Sequence, residues 1–170
     1  MQKALFLDRD GVINVEKDYL YKIEDFEFVD GIIPLCKYYQ SNGYKIFVVT
    51  NQSGIARGYY SEDDFSKLSE WMIKEFLNYG VEITKIYHCP HHPDINGECE
   101  CRKPKPKMLL DAKDEFDLDM KNSIMIGDKE RDIEAGLNAG VERNYLFDER
   151  GSIKESKATK IVKKLDEIRD

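Results

Sequence analysis

The run Ala4-Leu5-Phe6-Leu7 leads straight into Asp8-Arg9-Asp10-Gly11, and this junction constrains the fold more than any other stretch. A continuous apolar run suits a strand buried on both faces, as in a parallel sheet, rather than the alternating pattern of a half-exposed strand. Open α/β sheets bind ligands in the crevice beyond the carboxyl ends of such strands. Asp8 and Asp10, two residues apart, are therefore expected at the mouth of a site, with Gly11 turning the chain sharply behind them. Turn formation alone also accounts for an Asp-x-Asp-Gly sequence, so the weight falls on what recurs further along.

The pattern does recur. After a polar, aromatic-containing loop over 13–28, a helix is expected from Gly31, because Ile32, Leu35, Cys36 and Tyr39 share one face. Asn42-Gly43 ends it. A second buried strand, Tyr44 to Val49, runs into the polar series Thr50-Asn51-Gln52-Ser53-Gly54. A helix then starts near Ser61, which with Asp64 resembles a capping box in which Asp replaces the usual Glu. Phe65, Leu68, Met72 and Phe76 continue its apolar stripe to Gly80. Further strands are expected at Val81 to His88, Ser123 to Ile126 and Glu142 to Phe147. Helices are expected over Lys107 to Phe116, up to Gly140, and from Ser152 to Ile168, where Ile161, Val162, Leu165 and Ile168 form one side. Alternating strands and helices predict an α/β fold: a single doubly wound, mostly parallel sheet with right-handed crossovers. With 170 residues and no linker, one domain over 1–170 is expected. No separate cap domain fits between Asp10 and the second strand.

Composition excludes several classes. A formal net charge of −7 argues against general nucleic-acid binding. No apolar run approaches a membrane span, and Met1 runs almost directly into the first strand without a signal-like segment. A cytoplasmic monomer is expected. Of the four cysteines, Cys36 falls on a core face. Cys89, Cys99 and Cys101 cluster with His91 and His92, which points to metal binding rather than disulfides. Cys89, Cys99, Cys101 and one histidine make a Cys₃His set suited to closed, structural tetrahedral Zn²⁺. Such an ion would pin a loop over 89–101 that leads into the cationic stretch Arg102-Lys103-Pro104-Lys105-Pro106-Lys107.

Three strand ends carry polar groups: Asp8 with Asp10, Thr50 with its neighbours, and Asp128 with Asp132. Together they suit phosphoryl transfer. Asp8 is the candidate nucleophile, forming a phosphoaspartate, and Asp10 the candidate general acid and base. Mg²⁺ would offset carboxylate–phosphate repulsion, with Asp8 and Asp128 as its natural ligands. Thr50 can donate to a phosphoryl oxygen, and Lys103 can balance developing charge.

The set Asp8-Arg9-Asp10-Gly11-Val12, Thr50, Lys103 and Gly127-Asp128-x-x-x-Asp132 resembles the haloacid dehalogenase superfamily of phosphatases over about Met1 to Arg150. The resemblance implies a Rossmann-like core, the Asp10 backbone carbonyl as a further magnesium ligand, and Asp132 behind the ligands. Thr50 to Gly58, Cys89-Pro90-His91 and Cys99-x-Cys101-Arg102-Lys103-Pro104 are similar to the superfamily's sugar-bisphosphate phosphatases and the related histidinol-phosphate phosphatases. That similarity favours His91 over His92 for zinc. It also implies substrate contacts from Glu16, Lys17, Asp18 and Tyr19, from Thr50, Asn51, Gln52 and Ser53, and from Arg102 and Lys129. Arg57 with Lys105 or Lys107 are the candidates for holding a remote second phosphate. The expected partner is a small phosphorylated sugar. A phospho-receiver domain is the rival of another class, but receivers place their aspartate after a later strand and have no reason to carry a zinc loop. A zinc-stabilised binding protein with an inactive site is the third alternative.

Overall fold

The computed structural model describes residues 1–169. Its strands are β1 (Lys3–Leu7), β2 (Tyr44–Asn51), β3 (Ile83–Cys89), β4 (Ile124–Gly127), β5 (Arg143–Phe147) and β6 (Lys160–Val162). Its helices are α1 (Ile32–Ser41), α2 (Glu62–Asn78), α3 (Pro93–Asn96), α4 (Lys107–Phe116) and α5 (Glu130–Asn138), with 3-10 turns at Ile23–Asp25 and Leu165–Glu167. All strand pairings are parallel, in the order β3-β2-β1-β4-β5-β6.

The alternation of side chains along a strand divides the core into two layers. From β1, Leu5 and Leu7 join Ile32, Leu35 and Tyr39 of α1 and Met72 and Phe76 of α2. Ala4 and Phe6 face the other way, against Met108, Leu109 and Ala112 of α4 and Ala135 of α5. Both faces of β1 are thus covered, which is why its sequence is apolar without interruption. The Ser61 hydroxyl accepts from the Asp64 N–H, and the Asp64 carboxylate accepts from the Ser61 N–H, so the capping box forms with Asp in the Glu position.

The strand order reverses between β1 and β4, where doubly wound sheets open their ligand crevice. Register sets what lies there. Leu7 stands beside Val48 and Ile126, so Asp8, Thr50 and Asp128 emerge at one edge. Strand β2 continues past Val49, pairing Thr50 with His88 and Asn51 with Cys89. Both residues therefore sit on rigid strand rather than in a loop.

One element departs from expectation. Residues 152–168 do not form a helix. Lys160–Val162 instead extends the sheet edge, pairing with Tyr145, Leu146 and Phe147. Before it, the chain is tied down by side chains: Asp148 accepts from the Ile153 N–H, and Glu130 accepts from the Ser156 hydroxyl and the Lys157 N–H. The β-branched pair Ile161-Val162 suits a strand. Val162, Leu165 and Ile168 are buried as expected, but by the strand and the 3-10 turn.

Candidate active site

Asp8 leaves β1 with its N–H bonded to the Ile126 carbonyl and its side chain almost buried. Its Oδ1 accepts from Lys103 Nζ at 2.8 Å. The same ammonium lies 2.7 Å from Asp132 Oδ1 and donates to the Val49 carbonyl at 2.7 Å. Lys103 is only 1 % exposed, so the two carboxylates must carry its charge. Its backbone is fastened to the end of β2, where its N–H donates to Asn51 Oδ1 at 3.0 Å and its carbonyl accepts from Asn51 Nδ2.

Gly11 adopts φ +90°, and a Cβ there would lie 2.1 Å from Asp128 Oδ2. The glycine turns the chain and leaves room for Asp128 beside Asp8. Carboxylate oxygens of Asp8, Asp128 and Asp132 all lie within 4.8 Å of one another. Burial first, then the neighbouring Asp132, pushes the Asp8 carboxyl well above the usual carboxylate range, against the pull of Lys103. The same two causes raise Asp128. Burial works against a charged Lys103, but Asp132 and Asp8 outweigh it and hold its pKa above the ordinary lysine value. Three acids thus share a buried space with one ammonium among them, a donor set that suits a hard divalent cation such as Mg²⁺. Asp8 and Asp128 could hold it, with Asp132 behind them bonded to Lys103 and to the Lys129 N–H.

Asp10 is oriented by three side chains. Arg9 ion-pairs with it at 3.0 Å, Asn14 Nδ2 donates at 3.0 Å, and Gln52 Nε2 donates at 3.0 Å. Gln52 also donates to Thr50 Oγ1 at 2.8 Å and accepts from the Tyr60 hydroxyl. Arg9, 2 % exposed, reaches the Leu20 carbonyl as well and so ties the 16–20 loop to the strand end. Arg9, Asn14 and Tyr60 had no role in the sequence reading. The one available signal was Arg9 itself, an arginine placed inside a buried strand terminus.

A cavity of about 310 Å³ is lined by Asp8, Asp10, Asp128 and Lys103. Glu16, Asp18, Tyr19, Asn51, Gln52, Ser53, Arg57, Arg102 and Lys129, all expected at the substrate, line it too, as do Tyr60, His92 and Arg131. Asp18 and Tyr19 hold positive φ, 39° and 60°, a strained conformation of the sort that clusters at ligand sites. Thr50 is buried just beneath, bonded to Gln52. Three expected cations are not brought in. Lys17 donates to the Asp25 carbonyl and pairs with Glu27. Lys105 bonds the Cys99 carbonyl and Glu98. Lys107 pairs with Asp111 one turn along α4. Each meets a nearer acceptor on its own segment.

The ligand atoms of Cys89, His91, Cys99 and Cys101 lie within 4.8 Å of one another. Cys89 Sγ is 3.7 Å from His91 Nδ1 and 3.7 Å from Cys99 Sγ. Cys101 Sγ is 3.3 Å from His91 Nδ1 and 3.9 Å from Cys99 Sγ. With Zn–S near 2.3 Å and Zn–N near 2.0–2.1 Å, tetrahedral zinc separates its ligands by about 3.5–3.8 Å; the two 3.7 Å separations fall in this range and the 3.3 and 3.9 Å ones lie close to it. Another pair, Cys89 and Cys101, is joined as a disulfide, which the sequence did not lead us to expect. A disulfide employs only two of the four converging donors. His92 stays outside the cluster: Nε2 meets Arg57 at 3.0 Å and Nδ1 accepts from the Asp94 N–H.

An Asp-x-Asp with its first acid buried, a lysine from a distant loop and acids after β4 are the parts the sequence resemblance implied. A family model described as hydrolase, haloacid dehalogenase-like hydrolase, matches residues 2–140. The chain belongs to this family. It is 63 % identical over 147 residues to the D-glycero-alpha-D-manno-heptose-1,7-bisphosphate 7-phosphatase of Campylobacter jejuni, covering 86 % of this chain and 83 % of that protein. It is 48 % identical over 150 residues to the D-glycero-beta-D-manno-heptose-1,7-bisphosphate 7-phosphatase of Haemophilus influenzae, covering 86 % and 82 %. Among solved structures, D,D-heptose 1,7-bisphosphate phosphatase from B. bronchiseptica, complexed with magnesium and phosphate, superposes with a TM-score of 0.81 at 28 % identity, covering 96 % of this chain and 93 % of that one. Among the described residues, no helix is long and apolar enough to cross a membrane.

Proposed function

We propose that this hydrolase removes the 7-phosphate of D-glycero-alpha-D-manno-heptose 1,7-bisphosphate through a phosphoaspartate on Asp8. The observation that carries the reading is the buried Asp8–Lys103–Asp132 array at the sheet's switch point, opening into a cavity lined by both acids and cations. The relatives' names support the substrate class, and that of the 63 % relative favours the alpha anomer.

In the first step an Asp8 oxygen attacks phosphorus and the bond from phosphorus to the sugar oxygen breaks. Protonated Asp10 gives its proton to that leaving oxygen. In the second step water attacks phosphorus, Asp10 takes the water's proton, and Asp8 is released as carboxylate. The lysine fixes the Asp8 carboxylate through Oδ1, while Arg9, Asn14 and Gln52 hold Asp10 facing the cavity. When bound by Asp8, Asp128 and the Asp10 carbonyl, Mg²⁺ supplies charge neutralisation and orients the phosphoryl group. Thr50 donates to a phosphoryl oxygen, and Asn51 positions Lys103. Glu16, Asp18, Tyr19, Gln52, Ser53, Arg102 and Lys129 contact the substrate.

Cys89, His91, Cys99 and Cys101 hold a structural Zn²⁺, supported by four donor separations at or close to tetrahedral length. The ion braces the loop that delivers Arg102 and Lys103. Zinc needs thiolates, so the protein works with these cysteines reduced, as in the cytoplasm. One domain over 1–170 and a monomer suffice, because one chain supplies every group named here.

The test is phosphate release, with Mg²⁺, from the alpha and beta heptose bisphosphates and from histidinol phosphate. The alpha bisphosphate should give the highest kcat/KM. A higher value for histidinol phosphate overturns the reading, and a higher value for the beta anomer overturns the choice of anomer.

A further inference from the structure

Two of the three cations first considered for a remote phosphate, Lys105 and Lys107, are engaged elsewhere. The cavity nonetheless contains a third arginine, Arg131, beside Arg57 and Arg102. Its position follows from the buried pair beneath it. Lys103 and Asp132 are locked at 2.7 Å. Arg102 and Arg131 are each the residue immediately before a member of that pair, so the lock brings the two guanidiniums to the same rim. Both side chains line the same cavity.

This juxtaposition is unfavourable unless something anionic joins it. Arg131 lies in the first turn of α5, where the helix dipole disfavours a cation. The acids on either side of it are committed: Glu130 to Ser156 and Lys157, Asp132 to Lys103. Among the described residues Arg131 has no hydrogen bond or ion pair, and none of the three arginines has an acidic partner within 4.0 Å. Arg57 meets His92 Nε2, and Arg102 donates weakly to the His91 carbonyl at 3.4 Å. The cavity therefore contains three guanidiniums without an acidic partner beside its acids and Lys103. Guanidinium forks match phosphate oxygens bidentately.

We propose that Arg131, acting with Arg102 and Arg57, binds the phosphate that is not cleaved, and so sets the preference for a bisphosphate over a monophosphate. This rests on the reaction proposed above. The experiment compares kcat/KM for the heptose 1,7-bisphosphate and the heptose 7-phosphate in wild type and in Arg131→Ala. Arg131 is exposed, so the variant should fold, and its melting temperature is recorded alongside. The ratio of the two kcat/KM values should fall about tenfold or more, chiefly through a higher KM for the bisphosphate, as expected for loss of a charge-assisted contact. The heptose 1-phosphate product should also inhibit the variant less than wild type. An unchanged ratio, or equal losses on both substrates, overturns the role of Arg131. Wild type that fails to hydrolyse the bisphosphate overturns the proposed reaction instead.

Discussion

Lys103→Met removes one charge from the centre of the site while keeping a side chain of similar length. In the folded protein that ammonium sits 2.8 Å from Asp8 and 2.7 Å from Asp132. At an effective dielectric of about 20, each contact is worth about 6 kcal/mol of gross Coulomb energy, much of it offset by the cost of burying the three charges. Removing one partner of such a pair strands the other and costs about 3–5 kcal/mol net. For a chain of this length each kcal/mol moves the melting temperature by about 2–4 °C, so a drop of about 6–20 °C is expected in the metal-free protein. Mg²⁺ should restore part of it, because a second cation then serves the stranded carboxylates. The control is Lys103→Met combined with Asp132→Asn, which should be more stable than the sum of the two single losses, since fewer charges are left without a partner. Urea denaturation with and without Mg²⁺ measures all three variants. A loss below about 1 kcal/mol for Lys103→Met, or strict additivity in the double variant, would refute the reasoning. Turnover by Lys103→Met should fall by about 10²–10³-fold.

Other consequences are checked more simply. Gly11→Ala forces a Cβ to 2.1 Å from Asp128 Oδ2 in a backbone conformation that disfavours side chains, so stability should drop by at least about 1–2 kcal/mol and phosphate release should drop with it; an unchanged melting curve contradicts this. Cys99→Ser should lower bound zinc below that of wild type and reduce kcat/KM by loosening the loop before Arg102, as read by elemental analysis and kinetics on one sample; wild type free of zinc when purified under reducing conditions contradicts the zinc assignment. The Asp64 carboxyl is held below the usual range by the Ser61 N–H. Its contribution is therefore present above the unfolded-state pKa and fades as pH falls through the folded one, so Asp64→Asn should destabilise at neutral pH and progressively less between about pH 5 and about pH 3. Urea midpoints across that range decide it.

The sheet's centre was legible because β1, β2 and β4 are covered on both faces, and their apolar runs end in polar residues that the register then aligns. Helix α4 matches its expected limits, Lys107 to Phe116, since its amphipathic stripe is local information. The segment 152–168 was not legible. A three-residue edge strand is specified by its partner β5, and the spacing of Ile161, Val162, Leu165 and Ile168 does not reveal that partner. At the site, Asp8 and Asp128 announce themselves at strand ends. Lys103 lies 95 residues from Asp8, and it was linked to the site by its place in a cationic stretch and by the sequence resemblance, not by any local pattern around Asp8. The cations divided by local competition: Lys17, Lys105 and Lys107 find acceptors nearby, whereas Arg131 is brought to the cavity by the Lys103–Asp132 pair, which sequence spacing does not show.

The claim that Asp8 carries the phosphoryl group in transit is tested most directly by stereochemistry at phosphorus. Each in-line displacement inverts the phosphorus centre, so transfer to Asp8 followed by transfer to water restores it. Hydrolysis, in water carrying a third oxygen isotope, of a substrate bearing a chiral, oxygen-labelled 7-phosphorothioate should yield inorganic thiophosphate of retained configuration. Inversion would mean that water attacks the substrate in a single step and that Asp8 never bears the group.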